Sequence, residues 1–252
     1  MLSKSLEKYS NSLRNKKHRT EAGSFIAEGE KTVGELIDSS IKTERVFIVP
    51  QKISPEWKTN LNWLNEHHIE IIEVSEIEMQ KLSDLQTPAA VLGIFKIPVH
   101  EIDVKKLLLR FHLVLDGIQD PGNMGTIIRT ADWFGIENIF CSENCVDAYN
   151  PKVVQSSMGS LARVKVMECD LKKLLSDFAG SKILTTMESA QTIYSHDLPK
   201  EGLIIIGSEG RGVSEEVKNL CTTQLSIPRL GKAESLNAAL AAGIIVASLK
   251  KS

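Results

Sequence analysis

The sequence predicts an α/β protein of two domains, and three observations carry that reading. Phe111-His112-Leu113-Val114-Leu115-Asp116 and Leu203-Ile204-Ile205-Ile206 are apolar runs, and the second, uninterrupted, suits a strand buried on both faces. Segments of strand and helix character alternate along most of the chain. Late in the chain, two strands each run into a glycine- or proline-bearing loop that opens onto a helix.

Composition narrows the class. The 252 residues suffice for one large domain or two modest ones, and 42% hydrophobic with 25% charged is the profile of a soluble globular protein. No apolar run reaches the length of a membrane span and the start lacks the apolar core of a signal peptide, so a cytoplasmic location is expected. The formal net charge of −2 does not attract nucleic acid, so any RNA site must be a local patch. Four cysteines (Cys141, Cys145, Cys169, Cys221) form no C-x-x-C pair and read as reduced thiols, with no metal expected.

In order, residues 3–19 read as an amphipathic helix running into a basic loop, N-K-K-H-R. Lys4, Lys8, Arg14, Lys16, Lys17 and Arg19 stand there against the single acid Glu7, and Arg14, Lys16, Lys17 and Arg19 are the candidate phosphate contacts. A helix over 30–39, strands over 46–49, 69–74 and 91–97, and helices over 55–67 and 76–82 complete a small α/β domain at 1–98. A charged, proline-bearing stretch makes 99–110 a linker, and 111–252 the second domain.

In the second domain Pro121-Gly122 suits a turn, Asn123 an N-cap, and a helix runs to Phe134, stopped by Gly135. Strands at 139–140, 163–167 and 183–186 alternate with helices from 151 and 170. After the strand at 203–206, Gly207, Gly210 and Gly212 allow the backbone to turn tightly and approach a ligand. Glu209 lies among them, and Ser214 reads as a cap for the helix that follows. A short strand at 225–228 is stopped by Pro228, and Ser235 is the expected cap of an alanine-rich final helix, 236–250.

Three segments carry a resemblance: D-P-G-N-M-G-T-I-I-R-T-A-D-W-F-G at 120–135, G-S-E-G-R-G at 207–212, and I-P-R-L-G-K-A-E-S-L-N at 227–237. In that order they resemble the three motifs of the SpoU/TrmH family, RNA ribose 2′-O-methyltransferases of the SPOUT class. K-K-H-R-T-E-A-G-S-F-I-A-E-G at 16–29 is similar to the start of the L30e-like substrate-binding domain many members carry. The resemblance implies a SPOUT catalytic domain with a parallel sheet and a deep trefoil knot, a rare exception to the usual topology. It implies S-adenosyl-L-methionine as methyl donor, RNA (ribosomal rather than transfer) as substrate, and a homodimer. By position, Gly207, Ile227, Leu236 and Thr186 are expected to contact the cofactor, and Asn123, Arg129, Glu209, Ser235 and Asn237 to build the catalytic site. The family often assigns the base to the position of Arg129. Arginine is effectively never deprotonated in proteins, which favours phosphate binding and stabilisation of the developing alkoxide. Asn123 is expected to orient Arg129 or the ribose, Glu209 to hold Arg129 or a backbone turn, and Ser235 and Asn237 to complete the pocket. Gln155 stands where many members carry arginine.

Three other readings compete with this one. A transfer-RNA enzyme or a non-catalytic RNA-binding protein would use the same fold, but the intact candidate set argues against loss of catalysis. A nucleotide-dependent oxidoreductase would need G-x-G-x-x-G after a first strand and an acid about 20 residues on, and the chain has neither.

Overall fold

The computed structural model of the chain describes residues 2–187, 189–195 and 197–250. They form two compact units. One holds the chain up to Val99 together with Asp147–Ala162, the other His100–Val146 together with the chain from Arg163 onward.

The chain opens on α1 (Lys4–Ser12), where Ser3 accepts the Leu6 N–H, and α2 (Lys16–Ala22), where Asn15 accepts the Lys17 N–H. A second helix thus stands where a basic loop was expected, because Asn15 satisfies a first-turn amide and starts it. Next come β1 (Ser24–Glu28), α3 (Glu30–Ile37), β2 (Thr43–Ile48), α4 (Lys58–Glu66), β3 (Glu70–Glu73), α5 (Glu76–Leu82) and β4 (Val91–Lys96). The sheet order is β1-β4-β2-β3, antiparallel except between β2 and β3. Phe25, Phe47, Phe95, Leu13 and Leu36 are fully buried in this unit.

The remaining elements are β5 (Phe111–Asp116), α6 (Pro121–Trp133), β6 (Asn138–Cys141), α7 (Pro151–Ser157), β7 (Lys165–Glu168), α8 (Leu171–Asp177), β8 (Lys182–Thr185), β9 (Gly202–Gly207), α9 (Glu215–Lys218), β10 (Thr223–Leu225) and α10 (Ala238–Leu249). Of these, α7 belongs to the first unit and packs on β1. Beside it Tyr149 meets Phe25 with ring centroids 4.9 Å apart.

Arg19 is buried here, with 2% of its surface exposed. Its guanidinium donates to Asp147 through Nε (2.8 Å) and Nη2 (2.5 Å), and through Nη1 to the carbonyls of Leu13 and Arg14 (both 2.8 Å). The expectation that Arg19 meets RNA phosphate is therefore corrected. A buried charge persists when its hydrogen bonds are filled, and Asp147 and two carbonyls fill these.

The second unit holds one parallel sheet in the order β10-β8-β9-β5-β6-β7. The central strands β5 and β9 are buried almost throughout, as two-sided packing requires. From β5 the chain places β6 and β7 on one side, then returns to build β8, β9 and β10 on the other. Strand order reverses between β5 and β9, and open α/β sheets bind ligands beyond the carboxyl ends at such a point.

Several boundaries differ from expectation. Asp120 caps α6, taking the Asn123 N–H at 2.8 Å, so Asn123 lies inside the first turn behind Pro121. The strand expected at 225–228 ends at Leu225. Asn237, not Ser235, caps the last helix, its Oδ1 accepting from Ala239 (3.0 Å) and Leu240 (3.1 Å). Among the described residues no helix is long and apolar enough to cross a membrane.

Candidate active site

Three loops leave the carboxyl ends of the second sheet: 117–120 from β5 into α6, 208–214 from β9 into α9, and 226–237 from β10 into α10. Glu209, in the second loop, joins them. Its Oε1 accepts from Asn123 Nδ2 (3.0 Å), Asn237 Nδ2 (2.8 Å) and the Ala238 backbone N–H (3.0 Å). Asn237 Nδ2 also donates to Asn123 Oδ1 at 2.8 Å. The cluster places a carboxylate at the amino end of α10, where free N–H groups and the helix dipole favour negative charge.

Asn237 can be accounted for group by group. Its oxygen caps α10, and its two amide hydrogens serve Asn123 and Glu209. An aspartate would keep the cap and lose both donors. The structure thus brings together Asn123, Glu209 and Asn237, residues 114 positions apart at the extremes.

Arg129 lies further along α6 and is exposed. Among the described residues nothing bonds its guanidinium, so Glu209 holds the two asparagines and the backbone turn at Ala238 rather than Arg129. Ser235 is exposed in the third loop, next to the partly exposed Leu236. Across residues 229–236 no backbone N–H donates to a described residue, which leaves a run of donors open to a ligand.

The other cofactor candidates follow three neighbouring strand ends. Thr186 follows β8, with its N–H on the Leu225 carbonyl at 3.1 Å; Ile227 lies just beyond β10, half-buried. Gly207 ends β9, paired with Asp116 of β5. A Cβ at Gly207 would lie 2.2 Å from the Gly212 carbonyl carbon, so the loop folds back onto its own strand as only glycine permits.

One residue outside the expected set contributes. Asp116, buried at the end of β5, takes the Ser214 N–H (2.8 Å) and hydroxyl (2.7 Å) on one oxygen. A carboxylate closing an apolar strand was the signal available for it. Just after the neighbouring strand β6, Ser142 Oγ accepts the Gly117 N–H at 3.0 Å, and Cys145 Sγ donates to the Leu115 carbonyl at 3.3 Å. The Cys145 thiol is brought down to about 7, first by its hydrogen bond with Cys141 and against the effect of burial. All four cysteines are free thiols. No His, Cys, Asp and Glu cluster suited to a metal occurs among the described residues.

Of the RNA candidates, Lys16 and Lys17 are exposed on α2, where Glu21 lies 4.0 Å from Lys17. Arg14 is held internally: it donates to the Leu82 carbonyl at 3.0 Å and pairs with Asp84 at 3.0 Å.

Comparison with known proteins bears on both units. Residues 110–247 match the SpoU rRNA Methylase family, and residues 7–93 match the MRM3-like substrate binding domain. The 23S rRNA (guanosine(2553)-2′-O)-methyltransferase RlmP of Bacillus subtilis is 28% identical over 94% of this chain and 93% of its own. A putative RNA methyltransferase of the TrmH family from Porphyromonas gingivalis superposes with a TM-score of 0.86 at 33% identity, covering 100% of this chain and 99% of that one. The SpoU methyltransferase AviRb of Streptomyces viridochromogenes, solved in complex with AdoMet, gives 0.85 at 25% identity, covering 99% and 98%.

Proposed function

The chain belongs to the SpoU rRNA methylase family, and from that membership we propose that it transfers a methyl group from S-adenosyl-L-methionine to a ribose 2′-hydroxyl of 23S-type ribosomal RNA. The observation that carries the reading within this chain is the junction of three loops on Glu209, with Arg129 exposed further along α6.

The residues present fit the cofactor. Gly207 and the open backbone donors of 229–236 make a cradle of main-chain groups past the ends of β8, β9 and β10. Thr186, Gly207, Ile227 and Leu236 would hold it. When bound, S-adenosyl-L-methionine supplies an activated methyl group. Arg129, permanently charged, would bind RNA phosphate and stabilise negative charge on the attacking oxygen. Asn123, Glu209 and Asn237 hold the loops that form the pocket, and Ser235 adds a hydroxyl at its rim. Positioning of the 2′-oxygen against the methyl group supplies much of the rate gain.

A homodimer fits the same surface. Trp133 is 84% exposed and Leu240 53% exposed at the ends of α6 and α10, which pack on each other, and Leu230 is 99% exposed. Apolar surface of this kind is covered by a partner in many assemblies. The chain path supports the knot: Ser226 exchanges backbone hydrogen bonds with Gln191 and Ile193 of the β8–β9 connection before the chain reaches α10. A ribosomal substrate fits a cytoplasmic location, and Lys16 and Lys17, exposed on α2, would meet RNA phosphate.

The test is transfer of labelled methyl to unmodified rRNA and tRNA, followed by nucleoside analysis. A 2′-O-methylated nucleoside from rRNA is expected. Arg129→Ala should lose about 100-fold or more in transfer, as for loss of one charge-stabilising donor, while keeping cofactor affinity. Undiminished turnover by that variant would reject the role given to Arg129.

A further inference from the structure

We infer that Asp116 is a positioning residue for methyl transfer: with Ser214 it clamps the base of the 208–214 loop onto the end of β5, a proposal that rests on the methyltransferase reading. The loop is held at two points. At its tip Glu209 is fixed by Asn123, Asn237 and the Ala238 N–H. At its base both the N–H and the hydroxyl of Ser214 run to Asp116 Oδ2, at 2.8 and 2.7 Å.

Ser214 stands at the cap position of α9, where a serine ordinarily turns its oxygen to the helix amides. It makes no side-chain cap bond, and its hydroxyl donates to Asp116 instead. The local helix thus forgoes a cap so that the loop is tied to a different strand, 98 residues earlier. A short hairpin carries the first anchor, with Ser208 and Gly212 exchanging backbone hydrogen bonds at 3.2 and 2.9 Å. With both ends fixed, the hairpin sets where the backbone at Gly207 and the carboxylate of Glu209 come to rest.

Asp116 is also placed to align two motifs. It pairs in register with Gly207 across β5 and β9, and Gly117 after it begins the loop leading to α6. Gly117 has φ +71° and is pinned by Ser142 Oγ. One buried carboxylate therefore fixes the loop bearing Glu209 relative to the strand whose helix bears Asn123 and Arg129. A clamp of this kind acts on the geometry of the bound pair rather than on capture of RNA, so it should appear in kcat and cofactor affinity.

The experiment measures S-adenosyl-L-methionine affinity by calorimetry, and kcat and KM for rRNA, in the full chain and in Asp116→Ala, Asp116→Asn, Ser214→Ala and the Asp116→Ala/Ser214→Ala double variant. Asp116→Ala and Ser214→Ala should each lose about tenfold in kcat or cofactor affinity, the scale of a hydrogen bond to a charged group, with rRNA KM unchanged. Asp116→Asn, which keeps an acceptor oxygen, should recover most of the loss. The double variant should be no worse than the poorer single one, since both break one interaction. Additive losses, a change confined to rRNA KM, or parental behaviour of both single variants would overturn the clamp. Ser214→Ala decides the matter if Asp116→Ala fails to fold. If the parent protein neither binds the cofactor nor transfers methyl, the methyltransferase reading fails by itself. The clamp is then judged by amide exchange at Ser214, which must accelerate in Asp116→Ala while β9 stays protected.

Discussion

Arg19 and Arg129 are both arginines on helices, one in each unit, and they meet opposite fates. Arg19 is buried and bonded to Asp147 and two carbonyls. Arg129 is exposed and bonds to no described residue. A guanidinium whose hydrogen bonds are filled from within is part of the fold. One left exposed on the helix that also carries Asn123 is available to a ligand. The contrast teaches that partner inventory, not local charge density, separates the structural cation from the functional one.

The sharpest way to break this contrast is to remove each arginine and measure rate and stability side by side. Arg129→Ala should cost about 100-fold in transfer and leave the unfolding midpoint of the second unit where it was. Arg19→Ala should reverse that pattern, leaving the Asp147 carboxylate short of its partner and destabilising the first unit by about 3–5 kcal/mol. Equal stability losses in the two variants would erase the distinction. Next in size is Asn237→Asp, which keeps the α10 cap but sets a second carboxylate against Glu209 and removes two donors; loss of about 1–3 kcal/mol is expected, read as a lower melting temperature of the second unit together with reduced transfer.

Smaller effects sharpen the exposed end of the comparison. Replacing Lys16 and Lys17 together by alanine should weaken RNA binding a few-fold and lower the salt slope of log K by up to about 2. Replacing Arg14, already tied to Leu82 and Asp84, should show in stability first. Smallest is a pH effect. Backbone and side-chain hydrogen bonds from Ser75, with the Leu2 N–H, hold the Glu78 carboxyl down at about 2 against an ordinary 4.5. A depressed folded value stabilises above the unfolded value, and that contribution is lost as pH falls from 4.5 toward 2. Glu78→Gln should therefore flatten the acid limb of first-unit stability in that window, followed by circular dichroism.

What the sequence disclosed were the features encoded locally. The glycines at 207, 210 and 212 and the asparagines at 123 and 237 marked the loops correctly, because turns and helix starts need particular residues in place. Even there, the role of cap moved from Asn123 to Asp120 and from Ser235 to Asn237, a competition among neighbouring polar side chains that geometry decides. Pairings across long separations stayed hidden. Asp147 lies 128 residues from Arg19 and Ser214 lies 98 from Asp116, and nothing in the local pattern says which acid a given donor will reach. The same reason concealed that 147–162 packs with the first unit although it is flanked on both sides by the second.

That interrupted segment has a consequence for how such a gene can be taken apart and reassembled. The chain crosses between the two units at 99/100, 146/147 and 162/163, so no single cut separates them. Residues 1–99 made alone would lack Tyr149, Val153, Val154 and Leu161, side chains buried in the folded protein, and would leave Arg19 without Asp147. A recombination event that exchanged only the N-terminal portion would bring a new module against an old insert. The two would have to be inherited, and to diversify, as one unit.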